Sequence, residues 1–554
     1  MNKRRIALLL VAFMVILAIS GCNADTSGVK EEETATTEAA EKTEATTEEK
    51  IQEDGEGEAA PDGKMIVIAV SSDTLSFDPH IQNEEITDEI NLHIFETLFD
   101  NDENLNVVPG LCESYEQKDD LTWVFHLRQG VKFSNGSDFN ADDAIFSLER
   151  AISWEKSNYK GDTSSIESLA KVDDHTIEVT TKFPYSLLVS NLKTVMMMDK
   201  ETTEGMSEAD IAFNPVGTGR YTLVEHVKED HVDLVLNEGY WGEKPTITQV
   251  RFRPISNDAT RTAALLSGEV DLAADIPSRD VAQLKTNDKL DIVEAPSLRI
   301  IYLNLGGWNE KSPSHEQPNP LLDLRVRQAI YHAIDEETII KNVMNGDAYA
   351  AASYIPDYFN GANTSITRLE YSPEKAIELL TEAGYPDGFT ITLDSPNDRY
   401  INDADIAQAV AGYLEKVGIT VELNLMPKAL FFDYTEAAKF NTSFCLTGWA
   451  DFTGEGAIMM KSLLYSTGVK DGYGTGNRGH FTNAAFDELV DKALVTFDRD
   501  ERGEYVAEAA QIAADEVAFI PLHFQKDIYG KNKNVEFTPM PNKHMYAWRI
   551  ELLD

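Results

Sequence analysis

Phe125-His126-Leu127-Arg128-Gln129-Gly130-Val131-Lys132-Phe133, followed by Asn135-Gly136 and Asn140-Ala141-Asp142-Asp143-Ala144, is the stretch on which the reading of the fold turns. Its upstream flank, residues 122–127 (TWVFHL), alternates apolar and polar side chains between turn signals, the pattern of a half-buried strand. Downstream, Asn140 is a helix-capping residue and Asp142 and Asp143 fall in the first turn, which predicts a helix running through Arg150. Strand and helix thus follow each other within one short segment.

The same succession continues outward. Residues 65–70 (MIVIAV) read as a buried strand and 176–179 (TIEV) as another. Residues 324–343 carry Val326, Ile330, Ala333 and Ile334 at helical spacing. Ser372-Pro373-Glu374-Lys375 supplies an N-cap, a proline at the first position and an acidic first turn, with Gly384 ending that helix. A further helix over 403–417 stops at Gly418, and a strand over 419–425 follows. Helix then strand, repeated, indicates an α/β class. No internal repeat is present. At 554 residues the chain is too long for one ordinary domain; about 150 residues per domain suggests three or so lobes. Its 42% apolar content is enough to build their cores.

The N-terminus has its own logic. Lys3, Arg4 and Arg5 precede an unbroken apolar run over 6–19, too short for a comfortable membrane span and suited to a signal segment. It closes on Ile19-Ser20-Gly21-Cys22. Small residues before a cysteine resemble the bacterial lipobox, which implies cleavage ahead of Cys22 and lipid on its sulfur and amine, with more than one acyl chain giving stable anchoring. Residues 23–64 carry 14 acidic residues against 4 lysines and almost no large apolar side chains. Such a segment cannot bury enough surface to offset chain entropy, and self-repulsion extends it; it is expected to be a disordered leash. The body is expected outside the membrane.

The formal charge of −47, from 48 basic and 95 acidic residues, repels phosphate backbones and argues against nucleic acid as a partner. Of three cysteines, Cys112 and Cys445 lie far apart in sequence and read as unpaired, buried thiols.

Signatures of chemistry are sparse. No two of the eleven histidines stand three or four positions apart, and there is no His-Glu-x-x-His, so no intrinsic metal or cofactor is expected. There is no Gly-x-Ser-x-Gly elbow, and Gly217-Thr218-Gly219 lacks the lysine of a phosphate loop. Ser-x-x-Lys occurs at Ser157/Lys160 and Ser372/Lys375 without companion motifs, and the second is a helix start. With no catalytic residue to name, a binder is favoured over an enzyme.

Several segments in order resemble the extracellular solute-binding family 5, which serves dipeptide, oligopeptide, glutathione and nickel importers. They are Leu75-Ser76-Phe77-Asp78-Pro79-His80; Phe95-Glu96-Thr97-Leu98-Phe99; Val108-Pro109-Gly110-Leu111-Cys112-Glu113-Ser114-Tyr115; and the opening stretch above. Then come Pro215 to Tyr221 (PVGTGRY), Asn237 with Tyr240-Trp241, Ser267-Gly268-Glu269-Val270-Asp271-Leu272, residues 325–335 (RVRQAIYHAID) and Glu382-Ala383-Gly384-Tyr385-Pro386. The resemblance implies a type II periplasmic-binding-protein-like α/β fold of three lobes. The first and third close on a ligand and the second packs against the first. The implied boundaries are signal peptide 1–22, acidic linker 23–64, lobe I over 65–98, 213–302 and 524–554, lobe II over 99–212, and lobe III over 303–523. Gly217 and Gly219 would form a tight turn that uses glycine's φ freedom.

The implied ligand is a short peptide, captured without chemistry by a monomer tethered through Cys22 and delivered to the permease and ATPase subunits of an ABC transporter. Burying a zwitterion requires opposite charges in the cleft, and an arginine can clamp a carboxylate with two parallel hydrogen bonds. Arg399, after the strand at 389–393, matches the family's carboxylate-binding arginine. Asp451, two positions after Trp449 where the family usually has three, is the amine candidate, with Glu455 as the alternative. Trp449 is expected to line the pocket and Arg478 to lie near it. A nickel chelate, an opine or a sugar in the same fold, and an anchored extracellular hydrolase, are the competing readings; His480 is the one histidine near the proposed cleft residues.

Overall fold

In the computed structural model the described residues are 63–81, 85–315, 318–470 and 472–553. The described residues all belong to one compact unit, Pro61–Asp554. Cys22, the signal segment and nearly all of the expected leash lie outside the described residues.

An 11-stranded mixed sheet organises this unit. Along it run the strands Ile419–Met426, Phe389–Pro396, Phe444–Trp449, Leu290–Leu305, Phe519–Asn532, Leu272–Ala273, Lys64–Val70, Ile247–Pro254, His231–Leu236 and Tyr221–Val227, with Ala348–Ala350 paired to Phe519–Asn532 off this path. Two members are long. Leu290–Leu305 has 16 residues and Phe519–Asn532 has 14, and they run antiparallel to each other. Residues 290–296 pair beside the strands built from the first part of the chain, and 300–305 beside those of 389–449. The ladder is interrupted between Pro296 and Ile300, so Ser297, Leu298 and Arg299 bulge out where the strand passes from one half of the sheet to the other. Proline cannot donate to a ladder, which is reason enough for a break at Pro296.

Each half has its own core. Ile66, Ile68, Phe77, Ile90, Phe252 and Tyr529 lie at the centre of one, and Leu303, Ile330, Leu393, Val410, Leu414 and Leu446 of the other. Residues 99–212 contain a separate four-stranded antiparallel sheet, ordered Cys112–Gln117, Thr122–Leu127, Thr176–Thr181, Ile166–Asp173. It is fastened to the first part of the chain by the buried pair Arg150–Asp78, with Nη1–Oδ1 at 2.9 Å and Nη2–Oδ2 at 2.6 Å. It also shares a continuous apolar core with the helices Gly456–Leu463, Ala484–Val495 and Arg499–Asp515. Trp123 meets Phe497 edge-on at 5.5 Å, and the Ser186 N–H donates to Leu494 O at 2.9 Å.

The local signals hold where they are local. Asn140 caps Ala141–Ser153 with a full capping box, and Ser372 caps Pro373–Glu382. Residues 324–343 form two helices instead of one: Leu324–Ala333 and Glu336–Asn342, because Asp335 turns its carboxylate onto Thr338 N and starts a new helix. The glycines at 217 and 219 need correction in their cause. Neither has positive φ. A Cβ on Gly217 would lie 2.1 Å from Ile94 O, and one on Gly219 2.5 Å from Ile94 C, so glycine is required by close backbone approach. Cys112 and Cys445 are buried and free, and burial pushes both thiols up to about 12.

Candidate ligand-binding site

The strands Phe389–Pro396 and Phe444–Trp449 are parallel neighbours, with Asp394 opposite Cys445. Their carboxyl ends therefore open on the same sheet edge, the position where α/β sheets gather ligands. Ile300 lies opposite Trp449 on the next strand, so the bulge at 297–299 reaches that edge too. Three charged side chains consequently succeed one another along it. Arg399 follows the first strand, Asp451 the second, and Arg299 precedes the paired part of the third.

The loop that carries Arg399 is fixed by the helix after it. Asp403 Oδ2 accepts the backbone N–H of Arg399 at 2.9 Å and of Tyr400 at 3.0 Å. Tyr400 is buried and its hydroxyl donates to Gly448 O at 3.0 Å, tying this loop across the end of the neighbouring strand. Arg399 itself is exposed, its Cζ 5.4 Å from the centre of the Tyr400 ring. A guanidinium on a rigid loop, stacked and open to solvent, is positioned to take a carboxylate by a two-pronged hydrogen bond.

Trp449 is half-buried, and its Nε1–H finds no acceptor. Asp451 is buried, and burial raises its carboxyl above the usual range. One oxygen, Oδ1, accepts the Thr453 N–H at 2.8 Å and the Thr453 hydroxyl. Oδ2 accepts no hydrogen bond among the described residues. Lys193, from the segment with the four-stranded sheet, acts on this carboxyl as a cation, and its Nζ donates to Thr453 O at 2.9 Å and Asn101 Oδ1 at 2.6 Å. Burial lowers Lys193 to about 8. Asp451 thus keeps one free oxygen for a donor from outside.

Glu455 is placed differently. It is buried and grips Arg502 with Oε1–Nη2 at 2.9 Å and Oε2–Nε at 3.1 Å. Both oxygens are engaged by Arg502. Arg478 is half-buried and donates through Nε to Thr435 Oγ1 at 3.1 Å, pinning its loop to the helix Lys428–Tyr434. His480 packs edge-on against Phe440 at 4.4 Å. Two residues escaped the sequence reading: Tyr400, which organises the edge, and Arg299. The signal for Arg299 was Pro296, whose interruption of an apolar strand marks a bulge.

A family model described as "Bacterial extracellular solute-binding proteins, family 5 Middle" matches residues 106–471. The chain belongs to that family. It is similar to the glutathione-binding protein GsiB of Salmonella typhi, 30% identical over 490 residues, covering 86% of this chain and 93% of that one. Among solved structures, HbpA2 from Haemophilus parasuis aligns with a TM-score of 0.79 at 24% identity, covering 88% of this chain and 100% of that one. The ABC transporter-associated periplasmic binding protein DppA from Helicobacter pylori, in complex with the peptide STSA, aligns with a TM-score of 0.71 at 25% identity over 89% and 98%. The mixed α/β fold is therefore that of the type II periplasmic binding proteins, and this family 5 member is a solute-binding protein of the kind that serves ABC importers. Among the described residues no helix is long and apolar enough to cross a membrane. Those residues contain two groups with the spacing to hold a metal ion, Glu225/His231/Asp233 and Asp143/Asp199/Glu201, and neither includes a residue of the sheet edge.

Proposed function

We propose that this family 5 protein captures short peptides and passes them intact to the permease and ATPase subunits of an ABC importer. The observation that carries this reading is the pair Arg399 and Asp451. Among the described residues, a guanidinium without a hydrogen-bond partner and a carboxylate with an unused oxygen stand at the carboxyl ends of adjacent parallel strands. That is the complement of a zwitterion's carboxylate and amine. The peptide seen in the DppA complex and the glutathione of the GsiB name support the same ligand class. Trp449 contributes an apolar wall. In this reading the two halves of the large sheet act as closing lobes around the bulged crossover strand, and ligand shifts the population toward the closed form. No side chain is assigned a catalytic task.

Calorimetry with a dipeptide panel, glutathione and nickel–histidine tests the reading. Heat is expected with peptides, and none with any peptide would overturn it. Arg399→Ala is expected to weaken peptide binding at least about tenfold, or about 1.4 kcal/mol; unchanged affinity would remove Arg399 from the site. The lipobox-like Cys22 completes the proposal, tethering the monomeric binder beside its transporter on the outer face of the cell membrane. Palmitate labelling of the protein in cells should be lost in Cys22→Ala, and persistent labelling would refute the tether.

A further inference from the structure

Arginines that leave water in this protein are satisfied. Arg150 pairs with Asp78, Arg502 with Glu455 and Arg327 with Glu516, and Arg261 donates to three backbone carbonyls. Arg299 is the exception. It is half-buried, yet its guanidinium makes no hydrogen bond or ion pair among the described residues. It projects from the bulge of the crossover strand with its Cζ 6.0 Å from the centre of the Tyr400 ring, the ring that Arg399 approaches to 5.4 Å. Two guanidiniums from separate elements therefore share one aromatic ring.

Desolvation of such a cation is costly unless an anion meets it, and a like charge nearby adds to the cost. The Arg299 guanidinium is held below its usual range first by burial and then by Arg399. Glu85 and Asp527 act on it from a distance, but each already lies 3.4 Å from Lys543. One carboxylate fills one guanidinium fork. A site with two open forks is built for two carboxylates.

We propose that Arg299 is a second carboxylate-binding residue, and that the preferred ligands are short peptides carrying a side-chain carboxylate besides the terminal one. This rests on the peptide reading of the Arg399–Asp451 edge and sharpens it to acidic peptides. Because Arg299 sits in the crossover strand, the second carboxylate also engages the segment that joins the two halves of the sheet.

The test is calorimetry on the full-length protein with near-isosteric pairs, Ala-Glu against Ala-Gln and Glu-Ala against Gln-Ala. In at least one pair the acidic member should bind at least about tenfold tighter. Arg299→Gln should reduce that preference to less than about threefold. Arg299→Lys, which keeps the charge and loses the fork, should retain part of the preference. Equal affinities within both pairs would overturn the proposal and leave the peptide reading standing. Equal weakening of acidic and neutral members by Arg299→Gln, in protein with an unchanged unfolding midpoint, would assign Arg299 to lobe geometry and also overturn it. Absence of binding by all four peptides would sink the peptide reading and this proposal with it.

Discussion

Glu455 and Arg502 illustrate what a charge costs once it leaves water. Both are about 5% exposed, and each is the other's ionic partner. Removing one strands the other, a loss of roughly 3–5 kcal/mol for a broken buried pair. Glu455→Ala should therefore lower the unfolding midpoint by many degrees in a thermal melt. Peptide affinity of the protein that remains folded should stay within about threefold, since neither oxygen is free for ligand; a selective loss of affinity without a change in melting would reverse that assignment. Side-chain pairing of this sort was invisible in the sequence. Glu455 and Asp451 lie four residues apart among similar neighbours, and only their partners, Arg502 and Thr453, separate a structural carboxylate from an available one. Arg399 and Trp449 were proposed from the family pattern. Arg299 was not, because its distinguishing mark is an absence of partners, and that emerges only when strands far apart in sequence pair around it.

At the scale of elements, the chain announces its starts better than its interruptions. Asn140, Asn257 and Ser372 each bring a capping oxygen onto a backbone N–H two or three residues on, so their helices begin where composition says they should. The break between Leu324–Ala333 and Glu336–Asn342 was hidden by an apolar spacing that continues through both helices, while the deciding contact is the Asp335 cap. The turn at 217–219 was located by sequence, yet its physical basis was misread. Its glycines are needed for room against residues 93–94, not for left-handed backbone. Gly219→Ala places a methyl 2.5 Å from Ile94 C and 2.6 Å from His93 O, both backbone atoms that cannot swing away. A cost of roughly 1–3 kcal/mol follows, as for other overpacked sites, measurable as a lower denaturation midpoint in urea. A wild-type midpoint would show that the turn and the helix end are not in firm contact.

For the molecule as a whole, the notable contacts join its beginning to its end. Glu89 Oε1 accepts the Met545 N–H at 2.7 Å, and His93 Nε2 accepts the Ala547 N–H at 3.1 Å while Nδ1 faces Glu89 O at 2.8 Å. A backbone N–H can only donate, so His93 is neutral with its proton on Nδ1. Burial pushes Glu89 up to about 8, with Glu85 and Asp275 adding to the rise and Lys543 opposing it. The folded protein therefore holds a proton on Glu89 that the unfolded chain releases from about pH 4.5 upward. Stability from this group is present at low pH and is lost as pH climbs toward 8. Between those limits the unfolding midpoint of the wild type should fall more steeply with pH than that of Glu89→Gln, which keeps an acceptor and has nothing to titrate. Parallel slopes would show that Glu89 is already ionised in the fold.

The strand Phe519–Asn532 has a bearing on the order of events in the life of the chain. It supplies the central partner to both halves of the large sheet, and it lies near the carboxyl terminus. Until it arrives, the edges of Leu272–Ala273 and Leu290–Leu305 that it covers stand open, and neither half can close. Contacts of such long sequence separation form slowly. Pairing of this one strand therefore sets when the two halves of the large sheet can lock together.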